Sequence, residues 1–187
     1  MSGQLSLLEP APAAHPELFP RAVCNGAGFS ADRRYRYWLS RRIDNPRTPL
    51  TIPWLFLLLN PSDADETKLD PTARRCIGFT ASGGGSLCLI GNPFALVSTD
   101  PRGLAAADDP VGPRNDENLI ALANFATVVI AGWGNTAAPG FAARIQRIRE
   151  IVPEWKLMCL GTNKDGSPKH PLYLPASAEL RDWPSAP

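Results

Sequence analysis

Residues 54–61 read Trp54-Leu55-Phe56-Leu57-Leu58-Leu59-Asn60-Pro61: six apolar residues in a row, closed by an amide and a proline. The run is short for a core helix and has no polar position to turn toward water. It therefore reads as a strand buried on both faces, the pattern of a parallel sheet covered by helices. Three further runs share this character: Leu87-Cys88-Leu89-Ile90, Thr127-Val128-Val129-Ile130-Ala131 and Lys156-Leu157-Met158-Cys159-Leu160.

Helical signals fill the gaps. Asp70 is placed to cap a helix with Pro71 at its first position, running through Arg74, Arg75 and Ile77 to a stop at Gly83-Gly84-Gly85. Asn115 to Phe125 puts Leu119, Leu122 and Phe125 on one side, and Phe141, Ile145, Ile148 and Ile151 or Val152 recur at helical spacing before Pro153. Tyr35 to Leu39 adds a flanking, antiparallel strand to the expectation. Strands and helices that alternate in this way predict an α/β fold, a three-layer α/β/α sandwich with a mainly parallel central sheet.

Of the 187 residues, 44% are hydrophobic, enough for the core of one domain and too few residues for two. We expect an irregular arm over 1–30, where Pro10, Pro12, Pro16 and Pro20 break any period, a single domain over 31–180 and a tail over 181–187. Nineteen basic against eighteen acidic residues leave a formal charge of +1, which argues against the broad basic field of a non-specific nucleic-acid binder. No stretch approaches the roughly 20 apolar residues of a membrane span, and no basic start followed by an apolar run marks a secretory signal. The expectation is a cytoplasmic protein without a membrane partner. Cys24, Cys76, Cys88 and Cys159 form no Cys-x-x-Cys pair and only His15 and His170 accompany them, so a structural zinc is not expected. Asp63, Asp65 and Asp70 offer oxygens to a magnesium ion with bound phosphates, but no second acidic cluster follows, and the expectation is no metal and no cofactor.

Ligands of open α/β sheets bind outside the carboxyl ends of the strands, which directs attention to the residues just after each run. There stand Asn60-Pro61-Ser62-Asp63, Asn92-Pro93-Phe94, Gly132-Trp133-Gly134-Asn135, and Gly161-Thr162-Asn163-Lys164 leading to His170-Pro171-Leu172-Tyr173. Each alone is an ordinary turn. Together they predict a shared polar cleft with an aromatic wall.

The strings RYRYWLSR, LNPSDAD, DPTARRC, NPF, DPRGL, GWGN and GSPKHPLYL, in that order from about Arg33 to Leu174, resemble an uncharacterised bacterial family, domain of unknown function 1643. That resemblance implies no activity. Asn60-Pro61-Ser62 is also similar to the first motif of the uracil-DNA glycosylase superfamily, Asn92 to the amide that reads a pyrimidine edge there, Val128 to Asn135 to an apolar strand ending in Trp-Gly, and His170-Pro171 to its His-Pro motif. The family's His-Pro-Ser-Pro is broken here by Leu172-Tyr173.

The resemblance implies a glycosylase-like fold and a partner that is a nucleobase, a nucleotide or nucleic acid. Breaking an N-glycosidic bond puts negative charge on the departing base, and His170 is the donor placed to stabilise it. Asn60, beside Ser62, orients a water rather than acting as a strong base. Asp63 and Asp65 are the alternative bases, although a solvated acidic loop explains them as well. Asn92 pairs with the base edge, while Phe94, Trp133 or Phe79 stacks on it. Asn135, Lys164 and Tyr173 complete the binding set, and Arg74 and Arg75 bind phosphate unless they are ordinary surface charges. His170 reads equally as a turn residue and Trp133 equally as core. The two functional expectations are a glycosylase-like hydrolase and a binding module that holds a nucleotide or modified base without catalysing.

Overall fold

The computed structural model describes residues 25–44, 51–100, 102–135, 140–153 and 156–183. Its strands are β1 (Gly26–Phe29), β2 (Arg36–Arg42), β3 (Pro53–Leu57), β4 (Leu87–Gly91), β5 (Val128–Ala131), β6 (Leu157–Cys159) and β7 (Arg181–Asp182). The helices are α1 (Pro71–Ser82), the short α2 (Arg102–Ala106), α3 (Asn115–Phe125) and α4 (Phe141–Ile151), and a 3-10 turn covers Pro171–Tyr173. All seven strands join one sheet in the order β1-β2-β4-β3-β5-β6-β7. The central β4, β3, β5 and β6 run parallel, and β1, β2 and β7 are antiparallel to their neighbours.

The period of two within the apolar strands sorts their side chains into two cores. Leu55 and Leu57 of β3, Leu87 and Leu89 of β4 and Val129 of β5 join Leu119 and Leu122 of α3 and Ile148 of α4. The intervening Trp54, Phe56, Cys88, Ile90 and Ile130 join Ala73, Cys76 and Phe79 of α1. Each fully buried Leu, Ile, Val or Phe contributes roughly 1.5–3 kcal/mol, so strands covered on both faces account for the continuous apolar runs. At α1 the local chemistry agrees with the packing: the Asp70 carboxylate accepts the Ala73 N–H at 2.6 Å, Pro71 needs no donor, and Gly83 closes the helix.

Two strands have no legible signal in the sequence. Gly26–Phe29, inside the expected arm, pairs with β2 because Gly28 admits the Trp38 ring: a Cβ there would lie 2.0 Å from the indole nitrogen. The same glycines deprive β1 of any hydrophobic period. Arg181–Asp182, inside the expected tail, pairs with Met158 and Cys159 through exposed, charged residues. The rest of the arm, residues 1–24, lies outside the described residues, as does Cys24.

The chain leaves β3 for β4 on one side and crosses back from β4 to β5 on the other, with α1 and α3 packed on opposite cores. The loops at the carboxyl end of β3 must therefore diverge, and a crevice opens between them. Among the described residues no helix is long and apolar enough to cross a membrane, and no group of three or more His, Cys, Asp or Glu is placed to hold a metal.

Candidate functional site

A cleft of about 660 Å³ occupies that crevice. Its floor is Leu58 and Leu59 at the end of β3, and Asn60 and Ser62 come from the same exit. The α1 N-terminus supplies Asp70 and Thr72, the β5 exit supplies Trp133 and Asn135, and Lys169, His170 and Tyr173 arrive after β6. The apolar floor and the converging polar groups are what a small-molecule site requires.

Ser62 Oγ donates to Asp70 Oδ2 at 2.7 Å, while Asp70 Oδ1 is the helix cap. Each carboxylate oxygen has two lone-pair directions, so Asp70 keeps acceptor capacity toward the cleft. It is the only carboxylate among the described residues that line the cleft. His170 precedes the 3-10 turn, and its Nδ1 accepts the Leu172 N–H at 3.3 Å. That bond assigns the ring proton to Nε2, for which the structure shows no partner among the described residues. Burial pushes the His170 imidazole below its ordinary value of 6.5, an effect that the nearby Asp70 charge partly opposes. At neutral pH the ring is thus an uncharged N–H donor.

Two features hold this turn in place. Gly132 lets Pro171 pack against the β5 exit, since a Cβ there would meet the proline ring at 3.0 Å. Arg75 of α1 donates to the Leu174 carbonyl and lies over the Phe79 ring, which ties the helix capped by Asp70 to the segment carrying His170. Tyr173 is 82% exposed at the mouth, its ring 5.7 Å from that of His170.

Of the residues expected from sequence, Asn60, Ser62, Trp133, Asn135, His170 and Tyr173 come together in the cleft. Their side chains are not all free. Asn60 Nδ2 donates to the carbonyls of Ser98 and Pro61. Asn135 Nδ2 donates to Asp165 at 2.7 Å, which fastens the Gly161–Lys169 loop to the β5 exit. Trp133 is only 3% exposed and meets Trp183 edge to face at 5.0 Å, so it is mainly core with one side on the cleft.

The others stand elsewhere. Asn92 is 1% exposed, donates to the Leu58 carbonyl at 2.8 Å and accepts from Arg36 at 3.3 Å, so its amide supports the floor from beneath. Phe94 is buried and stacks with Phe141. Asp63 is exposed, 3.6 Å from Lys68, and Asp65 caps its own loop through Thr67 and Lys68. Arg74 donates to the Leu69 carbonyl, Arg75 clamps Leu174, Phe79 packs in the α1 core, and Lys164 is outside the lining.

Arg36 and Lys169 both line the cleft and were both missed by sequence reading; Arg36 is the buried one. It starts β2, is 3% exposed and lines the cleft; it donates to the Ala64 carbonyl at 2.8 Å and to Asn92. Burial brings its pKa down to about 10, with Asp70 opposing, so it stays charged at neutral pH.

Stability measurements test two of these assignments. Asn92→Ala strands the Leu58 carbonyl and one arm of the Arg36 guanidinium, so it should destabilise by about 1–3 kcal/mol or more, since a charged donor is involved. Chemical denaturation checks this, and an unchanged midpoint would contradict the supporting role. The second concerns pH: a folded-state imidazole held below the unfolded value means that the unfolded chain binds more protons below about pH 6.5. Wild-type stability should therefore fall as pH drops through and below that point. A His170→Asn protein should lack this component, as thermal melts between about pH 8 and 5 would show.

A family model described as "Protein of unknown function (DUF1643)" matches residues 36–172. No curated protein and no solved structure matches the chain.

Proposed function

Since the chain belongs to the DUF1643 family, whose description carries no chemistry, its activity has to be read from the cleft, and we propose that it is a nucleobase- or nucleotide-directed hydrolase that cleaves an N-glycosidic bond. One observation carries the reading: a neutral imidazole with a free Nε2–H and a lone carboxylate share a cleft that has an exposed tyrosine at its mouth. The two cores, one on each face of the sheet, support a three-layer α/β/α sandwich. The exits bearing Asn60, Trp133 and His170, which reach the cleft in the sequence order of the glycosylase motifs, are what supports kinship with uracil-DNA glycosylases, although Asn92 does not reach it.

In this reading the base stacks on Tyr173 and presents an oxygen to His170 Nε2. Water attacks the sugar carbon and gives up its proton to Asp70, and the carbon–nitrogen bond breaks with its electron pair going to the base. The growing negative charge on the base oxygen is met by His170, an interaction stronger in the transition state than in the ground state. Asp70 takes the part that sequence reading assigns to Asn60, Asp63 or Asp65, because Asn60 is an amide turned toward backbone and neither aspartate lines the cleft. The non-catalytic binding module also has an observation in its favour: both Asp70 oxygens already accept one hydrogen bond.

Base release from uracil-, mismatched-thymine- and hydroxymethyluracil-containing DNA, and from free nucleosides and nucleotides, measured beside binding, separates the two. Release in any arm supports the hydrolase. Tight nucleotide binding with no release in any arm leaves the binding module.

A further inference from the structure

We propose that Arg36 and Lys169 form an anion subsite of the cleft that takes the phosphate of a mononucleotide. The proposal rests on the nucleotide reading of the same cleft and narrows it to free nucleotides.

Three buried arginines show what is unusual about Arg36. Arg144, 7% exposed, is neutralised by Asp116 at 2.5 Å. Arg41 is surrounded by the carbonyls of Gly26, Ser40, Asp65 and Lys68. Among the described residues Arg36 has two neutral acceptors and no carboxylate at ion-pair distance, the Asp70 charge acting on it only from farther off. Its Nε, like Nη2 of Arg144, has no acceptor, so the difference from Arg144 lies in the missing ion pair. Taking a charge out of water is costly unless an opposite charge or a full set of hydrogen bonds replaces the solvent. Arg36 lines the cleft, and an anion bound there would complete the neutralisation that the more distant Asp70 charge only begins.

Lys169, exposed and without a described carboxylate partner, adds a second cation to the lining, and the Thr72 and Thr99 hydroxyls add neutral donors. Among the described lining residues, two cations against the one carboxylate of Asp70 match a phosphomonoester near its second ionisation better than an uncharged nucleoside. The same count argues against a polymer. A protein that neutralises about six to ten phosphates needs cations to match, whereas the described lining of this cleft offers two and the chain carries +1 overall. Its volume lies in the small-molecule range.

The test is titration calorimetry with the four common ribonucleosides, their 5′-monophosphates, inorganic phosphate and a short DNA duplex. At least one monophosphate should bind about tenfold or more tightly than its nucleoside, a difference of about 1.4 kcal/mol. Inorganic phosphate should compete with the nucleotide. Lys169→Ala, a truncation at an exposed position, should shrink that ratio to less than about threefold while nucleoside affinity is kept. Arg36→Met should do the same if circular dichroism shows it folded, and the lysine variant decides the matter if it is not. Equal binding of nucleoside and nucleotide, a ratio untouched by Lys169→Ala, or preference for the duplex overturns the subsite. A nucleotide preference without base release leaves the subsite standing and removes the hydrolase. Base release from nucleosides as efficient as from nucleotides does the reverse.

Discussion

Turnover of a His170→Ala protein is expected to fall about a hundred- to a thousandfold, because a preorganised donor of this kind contributes roughly 2.7–4 kcal/mol to the transition state. Affinity should change far less, since the base oxygen is uncharged until the glycosidic bond stretches. The neutral tautomer makes the expectation specific: Nδ1 is occupied by the Leu172 N–H, so Nε2 alone carries the proton toward the ligand. Alanine also removes the acceptor that starts the 171–173 turn. His170→Asn, whose carbonyl can accept the same N–H, therefore separates a lost donor from a loosened turn. Steady-state kcat on the best arm of the base-release panel, with Kd measured separately, reads both effects. Wild-type turnover in both variants would return His170 to a turn residue.

The positions of these groups are unequally legible in the sequence. Strand exits are readable because a parallel strand delivers the residues after it to one end of the sheet, and Asn60, Trp133, Asn135, His170 and Tyr173 all reach the cleft in that way. Arg36 escapes for the opposite reason. Leu39 of β2 pairs with Ile90 of β4 in antiparallel register, so the residues that begin β2, not those that end it, stand at the carboxyl edge of the parallel strands. Asn92 shows the limit of the exit rule, for position does not decide direction. The Leu58 carbonyl and the buried guanidinium give its amide two inward partners, and no sequence spacing announces them. Arg75 reads as a phosphate ligand only while its helix face is taken to be open, whereas the segment ending at Leu174 folds back over α1 and takes its donor. Asp70 is legible as a cap. Its proposed second role depends on the three-dimensional approach of the His170 turn.

That second role predicts the largest effect. Asp70→Asn should lower kcat/KM by about a hundred- to ten-thousandfold, the range expected when a general base is lost, with little change in stability. Stability is kept because asparagine caps a helix about as well as aspartate does, and its carbonyl can still accept the Ala73 N–H. Ser62 can reverse its hydroxyl and accept from the new amide, so the local hydrogen bonds survive while the proton acceptor does not. Asp70→Ala is the necessary companion. It removes cap and carboxylate together, and should add a loss of about 0.5–2 kcal/mol in folding stability to the same kinetic defect. Melting temperature and kcat/KM measured on both proteins thus divide one residue into its two functions. If the asparagine variant works within about tenfold of wild type while the alanine variant only melts earlier, the carboxylate is a cap and nothing more. The hydrolase would then lack its base, and the cleft would belong to a protein that binds its nucleotide without cutting it.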